Sequence, residues 1–145
     1  MKLLRNHYSF RHSGLLMLRL GIGIMFMLHG WPKIAGGLEK WSAIGGAMSN
    51  FGIDFMPGLW GFLAAFAEFF GGFLFAIGLF FRPVTLLLFF TMLVATIKHI
   101  SIGDGFSGYS HALESAILFF SFLFIGPGRY SFDEKLFPVR TLPLR

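Results

Sequence analysis

Four long apolar runs occupy most of this chain, and ionisable residues stand within them or at their ends: Arg19, His29, Lys33, Glu68, Lys98, His99, His111 and Glu114. Hydrocarbon offers no hydrogen-bond partner to a peptide group, so runs of this length must close their backbone bonds internally as helices. A charge at bilayer depth is expensive and faces a helix bundle or a wet cavity. The chain is therefore constrained to an all-α membrane bundle with a polar interior, and each of these side chains marks a candidate site.

Composition bears on which functions are open. Only 13% of the residues are charged and 55% are hydrophobic, with 21 Phe among 145 residues, against roughly 25% charged in an ordinary globular domain. A soluble fold of this size has too little interior to hide that surface. The net charge of +5 does not point to nucleic acid, because the basic residues gather at the ends of apolar runs instead of along one helix face. Cysteine is absent, which excludes disulfides, thiolate metal sites and thiol relays. Any electron chemistry needs a bound cofactor.

The expected spans are residues 15–35, 58–81, 83–102 and 109–125, the last being the shortest. Pro57 and Pro83 stand at the starts of the second and third, where the missing N–H costs nothing. Gly126-Pro127-Gly128 stops the fourth. The first run is too long for the apolar core of a signal peptide and lacks an obvious small-x-small cleavage site, so it reads as a retained helix. No repeat or low-complexity segment is present, and residues 1–145 read as a single domain.

If the helices alternate, Lys2, Arg5, Arg11, Arg82, Arg129, Lys135, Arg140 and Arg145 share one side. The positive-inside bias then places both termini in the cytoplasm. The sizeable loop 36–56 falls on the opposite side. There Leu38, Trp41, Ile44 or Gly45, Met48 and Phe51 recur at helical spacing, which suits a helix lying in the interface or capping the bundle; an ordinary connecting loop is the other reading. Near the C-terminus, Ser131 and Glu134 make a capping box, so a short helix is expected to run to Phe137 before Pro138 ends it.

Alternation also sorts the ionisable residues by depth. His29, Lys33, Lys98, His99, His111 and Glu114 fall in one outer layer, whereas Glu68 lies about 11 residues past Pro57, or roughly 16 Å at 1.5 Å per residue. That is mid-bilayer, the costliest position. Gly61, Ala64, Ala65, Gly71 and Gly72 stand at three-, four- and seven-residue offsets from Glu68, a small-residue stripe that lets helices approach closely and turns Glu68 into the seam. Two roles stay open for it: a protonated or Arg-paired structural carboxylate, with Arg19 as the natural partner, or a carboxylate that binds ligand or moves protons. Arg19, Gly23, Phe26, Gly30 and Lys33 share one face of the first span, with His29 beside it. Lys33 either joins that interior face or snorkels to the interface, and Lys98 is expected to reach toward headgroups while His99 faces inward.

His111 and Glu114, three residues apart, lie on one helical face, where a carboxylate can orient an imidazole. No tight metal signature such as H-E-x-x-H is present, so no metal site is assigned. Haem between His29 and His99 or His111 is geometrically conceivable and disfavoured for want of any motif. No nucleophile triad, P-loop or dinucleotide fingerprint occurs; Gly21-Ile22-Gly23 lies inside a membrane run with no preceding strand.

Taken in order, Leu18-Arg19, Gly23, Phe26, His29-Gly30 and Lys33, then Ala67-Glu68, Gly71-Gly72, Gly78-Leu79 and Arg82, then Met92 and Val94-Ala95, and finally Gly126-Pro127-Gly128-Arg129-Tyr130-Ser131-Phe132-Asp133 resemble the DoxX family of small bacterial membrane proteins over nearly the whole chain. His99 and Glu114 stand where members carry polar residues in their third and fourth spans. The resemblance implies a four-helix bundle of the inner membrane and, from the subunit that gave the family its name, a link to thiosulfate:quinone oxidoreductase. Other relatives are described as oxidoreductases or partners of redox enzymes, and more distant ones as assembly factors or cargo receptors. Fold transfers more readily than activity.

The resulting expectation is a membrane subunit or partner of an oxidoreductase system that holds a quinone- or lipid-like ligand in an intramembrane pocket. Phe-rich helices would line that pocket, with His29, Lys33, His99 and Glu114 bonding or relaying protons to a headgroup and Glu68 as carrier or anchor. The alternative is a non-enzymatic scaffold, assembly factor or transport component. Membrane lipid, a redox protein and further copies of the chain are the expected partners.

Overall fold

The structure, a computed structural model, describes residues 10–138. Lys2, Arg5, Arg140 and Arg145, part of the positive-inside reading, lie outside the described residues. Within them the chain forms six helices and no strand: α1 Arg11–Ile34, α2 Gly37–Gly45, α3 Pro57–Ile77, α4 Phe81–Ser101, α5 Gly105–Ile125 and α6 Phe132–Leu136. Four of these, α1, α3, α4 and α5, are long and apolar enough to cross a membrane. Large apolar side chains such as Met17, Leu28, Phe90, Ile117 and Phe124 are exposed on their outer faces, as expected of surface that lipid covers. Four such helices define a multi-pass membrane bundle.

Several boundaries differ from the sequence expectation: α1 starts at Arg11, four residues before residue 15, and α4 at Phe81, two before residue 83. α3 stops at Ile77 because Gly78 takes a left-handed φ of 70° and closes the helix, so the second span does not reach residue 81. α5 starts at Gly105, four residues before the expected start, and is as long as α3 and α4. Its first turns carry Gly108, Ser107 and Ser110, polar or small residues that hid the helix from an apolar count.

Helices α1 and α3 meet through glycine. A Cβ on Gly23 would lie 2.6 Å from the Gly72 carbonyl oxygen, and one on Gly30 would lie 2.6 Å from the Phe69 backbone nitrogen. Only hydrogen fits at these crossings, and the closeness they allow is the usual basis of helix association in lipid. α4 and α5 form the second close pair. Between the pairs, at the end where α3 stops and α4 begins, a dry aromatic core forms. Phe75 stacks on Phe81 at 5.1 Å and meets Phe119 and Phe122 edge-on at 5.2 and 5.1 Å, geometries worth roughly 0.5–1.5 kcal/mol each beyond area burial.

The loop 36–56 is helical for most of its length: α2 continues into a 3₁₀ stretch, Gly46–Phe51, that Gly52 closes at φ 73°. α2 lies against α3 backbone to backbone. A Cβ on Gly61 would lie 1.7 Å from the Trp41 carbonyl oxygen, and one on Gly45 1.8 Å from that of Pro57. The interfacial helix read from the Leu38–Phe51 spacing is thus a fixed wall of the bundle, with Trp41 Nε1 donating to the Lys33 carbonyl at 3.0 Å.

Candidate functional site

The Gly30 crossing decides which charge meets which. Because Gly30 rests on the Glu68–Phe69 backbone, Lys33, one turn further along α1, arrives beside the Glu68 side chain. Its ammonium donates to Oε1 and Oε2 of Glu68, both at 2.6 Å. The Glu68 side chain is 5% exposed and that of Lys33 33%. At Glu68 the helix widens to a π-type turn over Ala67–Gly71, a local irregularity that recurs at functional positions.

The partner assigned to Glu68 from sequence is therefore corrected: it is Lys33, not Arg19. Helical rise separates the two α1 residues by roughly 21 Å, and Arg19 lies at the opposite end of the seam. There it is fully buried, and its Nη2 donates to the Tyr130 carbonyl. Among the described residues its Nε and Nη1 have no hydrogen-bond partner. Gly78 leaves the space it needs, since a Cβ there would lie 1.8 Å from Nη1. The segment after α5 folds over this position. Asp133 accepts from the backbone N–H groups of Phe80 and Phe81 at 2.8 Å each and returns its own N–H to the Gly78 carbonyl at 2.9 Å. That grip holds Phe80 at a left-handed φ of 48°, unusual for a bulky residue. The Ser131 half of the capping box is present, its hydroxyl accepting from Glu134 N at 3.2 Å, and α6 ends at Leu136.

Beside the Lys33–Glu68 pair, α2, α3 and α4 flank a half-open cavity of about 490 Å³, within the roughly 300–1,000 Å³ range of small-molecule sites. Its walls are mostly apolar, with Leu63 and Trp60 from α3, Leu87, Phe90 and Val94 from α4 and Met48 from the 3₁₀ stretch. Lys33, Glu68, Lys98 and His99 are its ionisable lining. Lys98 lines the cavity together with His99. The His99 Nδ1 pairs with the Asp104 carboxylate across the turn that follows α4.

Of the other candidates, His29 and His111 come together on the α1–α5 side, ring centroids 5.8 Å apart, both exposed. Glu114 is exposed and makes no hydrogen bond among the described residues. None of the three lines the cavity. Among the described residues no group of three His, Asp or Glu side chains could hold a metal. One contributor was missed from sequence: Asp104 could have been found as an acid five residues past His99 across a glycine turn.

The fold and the buried charges together define a small multi-pass helical membrane protein with an ion pair at the edge of an intramembrane cavity. The DoxX family model matches residues 14–100, more than half of the sequence, and the chain belongs to the DoxX family. That match takes in Arg19, His29, Lys33, Glu68 and His99, while the Gly126–Asp133 segment and α5 lie beyond it. No match was found among curated proteins or solved structures.

Proposed function

We propose that this chain is a bacterial inner-membrane protein, both termini in the cytoplasm, that holds a quinone- or lipid-like molecule in the cavity beside Lys33 and Glu68 and serves as a membrane subunit or partner of an oxidoreductase system. The observation that carries the reading is the placement of the Lys33–Glu68 ion pair, with Lys98 and His99, on a wall that is otherwise mostly apolar. An apolar body can lie against Leu63, Leu87 and Phe90 while a polar head meets Lys33, a division of labour common to small-molecule sites. Lys33 is the donor to such a head, Glu68 fixes the position of Lys33, and His99, backed by Asp104, is the group that can take up or release a proton.

Organic extraction of the purified protein tests this reading. A quinone or lipid is expected in stoichiometric amount from the native chain and in reduced amount from a folded Glu68→Gln variant. Extracts empty in both would overturn it.

The second reading, a scaffold, assembly factor or transport component without chemistry of its own, is favoured by the completeness of the Lys33–Glu68 pair, in which both carboxylate oxygens are engaged. On that reading Glu68→Gln lowers folded yield and leaves any bound molecule unchanged.

A further inference from the structure

The hydrogen-bonding capacity of the cavity is one-sided. Glu68, the acid on its wall, spends both oxygens on Lys33. Lys33 uses two of the three N–H donors of an ammonium there, and its side chain stays one-third exposed. Lys98 lines the same cavity and has no ion pair or side-chain hydrogen bond to another described residue. His99 gives Nδ1 to Asp104 and keeps Nε2. The remaining polar side chains are already committed: Thr91 donates to the Leu87 carbonyl at 2.9 Å and Trp60 Nε1 to that of Phe55 at 3.1 Å. The cavity therefore offers an occupant donors and positive charge, with its one carboxylate already spoken for.

Helix dipoles account for basic residues at these places, since Lys33 stands in the last turn of α1 and Lys98 and His99 in the last turn of α4. They do not account for all three lining one mostly apolar cavity, where Lys98 is partly buried and has no counter-charge among the described residues.

We infer that the occupant is an amphiphile with a single anionic head, a carboxylate or a phosphate monoester, whose charge is met by Lys98 with help from Lys33 and His99 and whose chain lies along Leu63, Leu87, Phe90 and Val94. The inference rests on the reading of the cavity as a ligand site and narrows its ligand class. A neutral quinone would fill the apolar part and leave Lys98 without a counter-charge; an acidic lipid satisfies both.

Trp60 in the cavity wall provides the readout, because bromine quenches indole fluorescence at contact. Bromododecanoate, bromododecyl phosphate and the neutral bromododecanol are titrated into the full chain in maltoside micelles, with Trp60→Phe as the control for quenching elsewhere. Saturable quenching by at least one anion is expected at concentrations at least tenfold below the alcohol, and whichever anion saturates first names the head as carboxylate or phosphate. Lys98→Gln should weaken the anion by about ten- to a hundredfold, the loss of one charge-assisted hydrogen bond, leave the alcohol unchanged, and be rescued by Lys98→Arg. If the alcohol quenches as well as the acids and Lys98→Gln changes neither, the anionic head is overturned while the cavity remains a ligand site. If no probe quenches in a Trp60-dependent way, the ligand site itself is overturned together with the inference.

Discussion

Two buried charges lie at opposite ends of the α1–α3 seam, and their surroundings differ. Arg19 is enclosed by backbone: the Gly78 notch, the Tyr130 carbonyl and the segment that Asp133 fastens to the start of α4. Glu68 is equally deep but reaches a cavity through Lys33. Cost alone, which is high for any intramembrane charge, therefore does not separate a packing device from a site. Access does. The Arg19 end has aromatic core beside it, and its charge ties the C-terminal segment to the bundle; the Lys33–Glu68 end has room and free donors.

That contrast can be broken by substitution. Arg19→Ala removes a fully buried long side chain and should cost about 3–5 kcal/mol, in the range of large-to-small core substitutions, read as a lowered thermal midpoint in detergent with little effect on whatever ligand the folded fraction binds. A variant that stays stable and loses ligand would place the site at the wrong end. Asp133→Ala leaves the N–H groups of Phe80 and Phe81 without their acceptor and releases a left-handed Phe80; at about 0.5–1.5 kcal/mol for each of two hydrogen bonds that are partly open to solvent, a loss of roughly 1–3 kcal/mol is expected by the same measurement.

Glu68→Gln should reverse the pattern. Lys33 is one-third exposed and can turn toward water, so the stability loss is held to about 1–2 kcal/mol, whereas ligand retention falls sharply. A double-mutant cycle with Lys33→Met isolates the pair and should show coupling of about 1–3 kcal/mol. Smallest of all are His29→Ala and His111→Ala. Both side chains are exposed and outside the cavity, so changes within about 0.5 kcal/mol and unaltered ligand content are expected; a marked ligand loss from either would move the site to the α1–α5 face.

The bundle itself was legible in the sequence because apolar length and a charge-poor composition leave lipid as the one solvent that fits, and the DoxX motifs agreed. Glu68 was also legible as inward-facing, through the small residues around it. Its partner was not. Sequence spacing places Arg19 and Lys33 on one face of α1 but says nothing of which end of α1 crosses Glu68; that is fixed by Gly30 seating on the Phe69 backbone, a tertiary contact. The π-type turn at Ala67–Gly71 and the cavity were hidden for the same reason, since both arise from how α2, α3 and α4 meet. That Lys98 shares a cavity with Lys33 and Glu68 was hidden too, because helix-wheel reasoning gives an angle and not a neighbour.

The central claim is that the space beside the Lys33–Glu68 pair holds a small amphiphile. Ala95 lines that space, so Ala95→Phe fills it while Lys33, Glu68 and Arg19 stay unsubstituted. Mass spectrometry of organic extracts from the native chain and from Ala95→Phe, matched for thermal midpoint, tests the claim directly. The account predicts a bound amphiphile in the first and its loss in the second at nearly unchanged stability; equal amounts of the same molecule in both would contradict it.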